Sequence, residues 1–316
     1  MSPPQINIIV PIYNEKEVFD SLIKRLDNVM LLSRLNIEVI LIDDGSTDGT
    51  DIKMNNLSKK NEAYQSIFLS RNFGHQSAIT TGLYYANATE GVMIIDADLQ
   101  DPPEVLDEFY KYFLQGYDVV YAIRKSRKES WYKKMSYQFF YFLLKKISNI
   151  EIPVNSGDFS LLSKRAVDYL NMMPEESRYI RGMRSWIGFN QIGIEINRDQ
   201  RHSGKPKYSL KKLLKLALNG IFNFSEYPIR IVFTIGLVVL FVSLVYFGYT
   251  LIQKVVYNTA PEGFTALLFT IILFGGIQLI SLGLIGGYVI RIFFQVKNRP
   301  LFIVKRRVFK KNILLK

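Results

Sequence analysis

The chain has 316 residues, with 40 Lys and Arg against 28 Asp and Glu for a formal charge of +12, two histidines and no cysteine. Disulfides, thiolate metal sites and a multi-histidine zinc site are thereby excluded, which leaves oxygen ligands for any metal. The basic excess gathers beside two long apolar segments, so the expected partner is the anionic headgroups of an inner membrane leaflet and not nucleic acid.

In chain order, Met1 to Gln5 carries no basic leader before an apolar stretch, so no cleaved signal peptide is expected and the N-terminal part is expected to stay in the cytoplasm. Ile6 to Pro11, Glu38 to Asp43, Ser66 to Leu69, Val92 to Asp96 and Asp118 to Ala122 read as strands, and their unbroken β-branched runs predict burial on both faces. Between them, Glu15 to Leu32, Asp48 to Lys59, Gln76 to Ala86 and Pro103 to Leu114 have helical periodicity, with Pro103 suited to a first helical turn. Alternation of this kind predicts a doubly wound α/β domain with a mostly parallel sheet, whose ligands sit beyond the carboxyl ends of the strands.

Those ends carry Pro11 to Glu15, Asp43 to Thr50, Arg71 to His75 and the run Asp96-Ala97-Asp98-Leu99-Gln100. Two carboxylates spaced Asp-x-Asp, with an amide oxygen two residues on, form a half-cage for a hard divalent cation held against substrate phosphates. The bare tripeptide is more often turn chemistry, and Ser46 or Asp48 before a helix is ordinary capping.

Trp131 to Ile147 and Leu210 to Phe224 mix aromatics and Leu with Lys, a pattern for helices lying in the headgroup plane; core helices with a lysine face are the alternative. Ile231 to Gln253 and Phe264 to Ile290 hold no charged residue. Each exceeds the ~20 residues that cross about 30 Å of hydrocarbon, so two transmembrane helices are expected. Arg291 to Lys316 carries nine basic residues and no acid, while Lys254 to Gly263 nets to zero. That asymmetry predicts a hairpin in the plasma (inner) membrane with both termini cytoplasmic. Gly283 and Gly287 give a Gly-x-x-x-Gly spacing in the second span, which suits close packing with the first span or in a homo-oligomer.

In order, Pro11-Ile-Tyr-Asn-Glu15, Asp43 to Thr50, Asp96 to Glu104, Gly157-Asp-Phe159 and Arg201-x-x-Gly204-x-x-Lys207-Tyr208 resemble family 2 glycosyltransferases. More narrowly, they are similar to the polyprenyl-phosphate glycosyltransferases, which include bactoprenol glucosyltransferases, dolichyl-phosphate mannose synthases and aminoarabinosyl transferases. The resemblance covers essentially the whole chain. It implies a GT-A domain over residues 1–208, an interfacial helix at 209–229, a two-helix transmembrane hairpin at 230–291 and a basic tail at 292–316. It also implies that Pro11, Tyr13, Glu15 and Asp44 frame the nucleotide, with Asp96 at the donor. Asp96, Asp98 and Gln100 would address Mg2+ or Mn2+ and the donor diphosphate; Arg124, Arg127, Arg201 and Lys207 would bind the acceptor phosphate.

Asp158 falls at the family's acidic position near sugar and acceptor. Gly-Asp-Phe in place of the mannose synthases' Ser-Gly-Phe tilts the resemblance towards glucosyl or aminoarabinosyl transfer. Two departures stand out: Pro206 replaces a usual Ser, and Ser160 a common Arg.

The expected reaction is inverting transfer of a hexose, with UDP-glucose the favoured donor, to undecaprenyl phosphate for modification of a cell-surface glycan. GDP-mannose and aminoarabinosyl donors are the alternatives, and a silent membrane scaffold is the alternative outside enzymes. A phosphate monoester has a second pKa near ~6 and is already largely dianionic at pH 7. Asp158 is therefore expected to orient the acceptor or a sugar hydroxyl, with proton acceptance secondary.

Overall fold

The computed structural model describes residues 3–124, 156–196, 227–257, 263–310 and 312–314. Its first half alternates strand and helix as expected: β1 (Ile6–Ile12), α1 (Phe19–Leu32), β2 (Ile37–Asp43), α2 (Thr50–Lys60), β3 (Tyr64–Leu69), α3 (His75–Tyr85) and β4 (Gly91–Ile94). A single 3-10 turn at Pro103–Val105 opens α4 (Leu106–Leu114), and β5 (Val119–Arg124) follows. The second half adds β6 (Ser156–Ser163), α5 (Lys164–Met172), α6 (Ile180–Trp186), β7 (Gln191–Ile196), α7 (Tyr227–Tyr257), α8 (Phe264–Lys297), β8 (Val304–Phe309) and β9 (Asn312–Leu314).

All described strands join one sheet in the order β7-β5-β6-β4-β1-β2-β3-β8-β9. Pairings β1–β2, β1–β4, β2–β3 and β5–β7 are parallel, while β6 runs antiparallel between β4 and β5. Every residue of β1, β2 and β3 is buried, because helices cover both faces. One core layer holds Ile8, Val10, Leu22, Leu26, Leu41 and Phe109; the other holds Ile9, Ile42, Ile79, Leu83, Leu162 and Leu170. Helix α3 closes on β1 through Gly82, where a Cβ would stand 2.4 Å from Ile9.

Three features depart from the expectation. Helix α1 begins at Phe19, not Glu15, because the backbone N–H groups of Glu15 and Lys16 bond Thr50 Oγ1 and Asp48 Oδ2 across the edge. Strands β6 and β7 extend the sheet beyond its fifth expected strand. The stretch after residue 292, expected as a basic tail, supplies β8, which pairs antiparallel with β3 and is followed by β9. The sheet of the α/β domain thus takes in strands from the chain's C-terminal stretch. The pairing covers an otherwise open edge of β3, and its cations stack on aromatics: the Arg306 guanidinium lies 4.2 Å over the Phe68 ring.

Helices α7 and α8 cover both expected spans and leave large apolar side chains exposed, among them Phe233, Phe241, Leu279 and Ile280. Among the described residues one helical stretch, Leu273–Lys297, is long and apolar enough to cross a membrane, with mean hydropathy 1.8; Val232–Tyr246 is a shorter apolar one. The expected interfacial helices at 131–147 and 209–229 lie outside the described residues, apart from the first residues of α7.

Candidate active site

The carboxyl ends of β1, β2 and β4 are adjacent in the sheet, so the loops that follow them meet at one edge. The loops after β1 and β2 are stitched together by side chains. Asn14, at φ 53°, accepts from Thr47 N–H at 2.8 Å through Oδ1, and its own N–H donates to Ser46 Oγ at 3.0 Å. Asn is among the few side chains that tolerate this left-handed conformation. Gly45, at φ +77°, lets the loop pass against the next one: a Cβ there would lie 2.8 Å from the backbone of Arg71 and Asn72.

Asp44, expected beside the nucleotide, is 3% exposed and its carboxylate accepts from the N–H groups of Phe73 (2.7 Å) and Gly74 (2.9 Å). Its observed work is to fasten the β3–α3 loop, whereas Tyr13, 40% exposed, stands open on the edge with Glu15 half-buried beside it. Pro11 is buried within β1 and shapes the strand end from beneath.

Asp96 and Asp98 follow β4, both partly exposed. The turn between them and α4 is tight. Leu99 is left-handed at φ 62°, its carbonyl accepts from Arg25 Nη1 at 3.1 Å, and Arg25 also pairs with Glu104 at 2.6 Å. Gln100, expected as a third oxygen ligand, is 5% exposed; its backbone N–H donates to Asp98 Oδ1 at 3.2 Å. Gln100 thus holds Asp98 through its backbone. Two partly exposed carboxylates on a rigid turn fit Mg2+ or Mn2+, which commonly bind through one or two carboxylates plus substrate phosphates. Among the described residues no group of three or more histidine or acidic side chains could by itself hold a metal ion.

Asp158, on β6, is 5% exposed and faces this edge from the antiparallel strand beside β4. Its Oδ1 accepts from Arg181 Nε at 2.9 Å and its Oδ2 from Gln76 Nε2 at 3.0 Å, while Gln76 Oε1 accepts from the N–H of Ile180 at 2.9 Å. His75 Nε2 lies 3.5 Å from Asp158 Oδ2 and 3.5 Å from Asp96 Oδ1, bridging the two carboxylates. Burial alone would raise the Asp158 pKa; the Arg181 charge and the His75 contact outweigh it and hold the carboxyl well below the usual range. Burial would likewise lower the His75 pKa, but Asp158 and Asp96 reverse this and raise it to about 9. A carboxylate so firmly ionised and so fully engaged is a poor proton acceptor near neutral pH. Proton acceptance by Asp158, kept in second place on the sequence, is disfavoured further, and the orienting role remains.

Arg181 and Arg184 carry no signal in the sequence; the Arg184-Ser185-Trp186 run shows only part of the Gln-x-x-Arg-Trp pattern of processive synthases. Arg184 is fully buried with its guanidinium 4.8 Å over the Tyr121 ring, and none of its three nitrogens has a hydrogen-bond partner among the described residues. Its burial lowers its pKa to about 10 against the opposing charge of Asp158. Arg124 ends β5 opposite Ile196 of β7. Arg127, Arg201 and Lys207 lie outside the described residues.

A mostly parallel α/β sheet with an Asp-x-Asp turn at its carboxyl edge and a buried acid facing it defines a glycosyltransferase domain of the GT-A type. Comparison with known proteins agrees. The model of glycosyl transferase family 2 matches residues 7–170. The glycosyltransferase YkcC of Bacillus subtilis, described as uncharacterized, is 39% identical over 96% of this chain and 94% of its own. The bactoprenol glucosyl transferase of Shigella phage SfII is 35% identical over 96% of this chain and 98% of its own. The prophage bactoprenol glucosyl transferase homolog of Escherichia coli is also 35% identical, over 96% and 99%. Among solved structures, a mannosyltransferase of Pyrobaculum calidifontis aligns with TM-score 0.45 at 18% identity over 66% of this chain and 59% of that one. The chain belongs to glycosyl transferase family 2 and is a glycosyltransferase.

Proposed function

We propose that this glycosyltransferase moves a hexose, glucose from UDP-glucose in the favoured case, to a membrane polyprenyl phosphate such as undecaprenyl phosphate, giving a lipid-linked phosphosugar for cell-surface glycan modification. The observation that carries the reading is the similarity, over 96% of this chain and 98% of the relative, to a chain named bactoprenol glucosyl transferase. A match over 96% of this chain takes in its apolar helices, so the similarity extends beyond the sugar-transferring domain.

In this reading the exposed Tyr13 ring and Glu15 frame the base and ribose, with Asp44 supporting them through the loop it fastens. Asp96 and Asp98 would hold Mg2+ or Mn2+, whose Lewis acidity offsets the charge gathering on the leaving diphosphate. The acceptor phosphate oxygen attacks the anomeric carbon as the bond to the diphosphate breaks, with inversion and no covalent enzyme intermediate. Asp158, kept ionised by Arg181, accepts a hydrogen bond from a sugar hydroxyl and so sets the angle of attack. Arg124, Arg127, Arg201 and Lys207 supply cations for the lipid phosphate, the arginines bidentately. Helices α7 and α8 form a two-span hairpin in the plasma membrane with both termini cytoplasmic, and the basic residues beside them meet anionic inner-leaflet lipid. Gly283 and Gly287 pack α8 closely against a neighbouring helix, of this chain or of a second copy.

The test is transfer of labelled sugar to undecaprenyl phosphate by the purified full-length chain in detergent with Mg2+ or Mn2+, using UDP-glucose and GDP-mannose in parallel and Asp98→Ala as control. A chloroform-soluble glucose product absent from the control is the expected result. Mannose transfer reassigns the donor, and no transfer from either donor rejects the reading.

A further inference from the structure

Beside α6 lies an open groove of about 510 Å³ lined by Tyr169, Met172, Met173, Trp186, Ile187 and Phe189, with Pro174 and Glu175 at one end. Its volume falls within the ~300–1,000 Å³ of small-molecule sites. Three of its side chains are left in water to an extent a soluble domain ordinarily avoids: Met172 is 76% exposed, Trp186 63% and Tyr169 53%.

The groove is built from braced elements. Arg178, itself buried, donates to the carbonyls of Met173 at 3.0 Å and Leu170 at 2.5 Å, which fixes the turn after α5. Tyr169 and Phe189 meet edge to face at 5.5 Å. The lining offers hydrocarbon, thioether and aromatic surface, and its one acid, Glu175, acts on the charge of Arg178. Such a surface offers no cation to hold a diphosphate. It suits a flexible apolar chain, to which Met side chains adapt readily.

Two structural ties say which chain. At the groove's end, the Gln295 amide donates to the Pro174 carbonyl at 2.6 Å and accepts from the Glu176 N–H at 3.0 Å. Gln295 lies within the apolar stretch Leu273–Lys297, near its end, so the groove opens where that stretch meets the α/β domain. The second tie is α6. Its first residue is bound through Gln76 to Asp158, and its last, Trp186, lines the groove. Seven residues of helix at ~1.5 Å each separate site from groove by about 9 Å, a length that a few linked prenyl units cover.

We propose that this groove receives the prenyl chain of the lipid acceptor, leading it along α6 from the phosphate at the active site towards the apolar helix. The inference rests on the reading of a polyprenyl phosphate acceptor, and it assigns Trp186 and Met172 to chain binding.

The test is photolabelling of the full-length chain in nanodiscs with a polyprenyl phosphate that carries a diazirine on its second prenyl unit. Label is expected in peptides spanning 169–175 and 186–189, and unlabelled undecaprenyl phosphate should compete it away. Label confined to α7 and α8, or label that the competitor leaves in place, overturns the proposal, the second result assigning the groove to bulk lipid. Because labelling needs no turnover, competed label in the groove without transfer from any donor upholds the groove and rejects the transfer reading. In kinetics, Trp186→Ala should raise the KM for undecaprenyl phosphate about tenfold by loss of apolar contact, leave the KM for UDP-glucose unchanged, and flatten the dependence of KM on prenyl number. An equal rise for acceptors of every length also overturns it. Thermal unfolding unchanged from wild type checks that the exposed substitution leaves the fold intact.

Discussion

Arg181 Nε donates to Asp158 Oδ1 at 2.9 Å at the sheet edge, where the carboxylate is buried and the arginine side chain is 26% exposed. A carboxylate held this way stays ionised, which disfavours it as a base and suits it to accept hydrogen bonds, and once buried it depends on the arginine for its counter-charge.

Breaking the pair should therefore destabilise the domain as well as impair transfer. Arg181→Met, which leaves the buried Asp158 carboxylate unpaired, is expected to cost roughly 3–5 kcal/mol, the range for removing one partner of a buried ion pair, and Asp158→Asn less, because the Arg181 side chain is 26% exposed. The double variant should be less unstable than the sum of the two. Denaturant unfolding of all three in one detergent measures this, and strict additivity would mean the two side chains are not coupled.

His75 predicts a pH dependence. Its pKa in the folded protein, about 9, exceeds the unfolded value of ~6.5, so its stabilising contribution is complete below the lower value and is lost as pH rises through the upper one. In metal-free protein the gap in Tm between wild type and His75→Gln should be widest near pH 6 and should close between pH 7 and about 9.5. A gap that stays constant over that interval contradicts the imidazolium bridge.

Chelation should lower transfer at least ~100-fold, with recovery on adding Mg2+ or Mn2+, because the Lewis-acid contribution to such a step amounts to several kcal/mol. Asp98→Asn should raise the metal concentration needed for half-maximal rate, and Gln100→Ala should do so less, an uncharged amide oxygen being the weaker ligand. A metal requirement unchanged in Gln100→Ala would remove Gln100 from the ligand set.

Gly45→Ala places a methyl group 2.8 Å from the Arg71 and Asn72 backbone at a left-handed φ. Conformational strain of this sort is of order ~1–3 kcal/mol, and the clash adds to it. The loop carrying Asp44 and the loop beginning at Arg71 must separate, so the KM for the nucleotide sugar should rise together with a fall in Tm. A fall in Tm alone would detach this turn from donor binding.

Deletion of residues 298–316 removes β8 and β9 and bares β3. Tm should fall by several degrees, at about 2–4 °C per kcal/mol for a domain of this size, and the protein should aggregate more readily through the open edge. A dispensable basic tail would give no change in either measurement, so light scattering and a thermal melt decide between the two.

The sequence by itself determined what depends on local pattern. Continuous β-branched runs alternating with amphipathic helices specify the βα order and a sheet buried on both faces, and Asp96 and Asp98 declare themselves because a strand end followed by Asp-x-Asp is a short-range motif. The two charge-free segments are equally plain, since charge and length are additive along the chain. What only tertiary structure decided depends on contacts between distant residues. Arg181 reaches Asp158, and the Ile180 N–H reaches Gln76, because β6 inserts antiparallel beside β4 and brings α6 to the edge. The basic C-terminal stretch becomes a strand because an edge of β3 is available, and two arginines that read as a solvated tail lay their guanidinium groups over Phe68 and Tyr85. Leu99 adopts a left-handed conformation whose carbonyl is held by Arg25, 74 residues earlier. Pattern records which residues have the chemistry, and packing selects which of them meet.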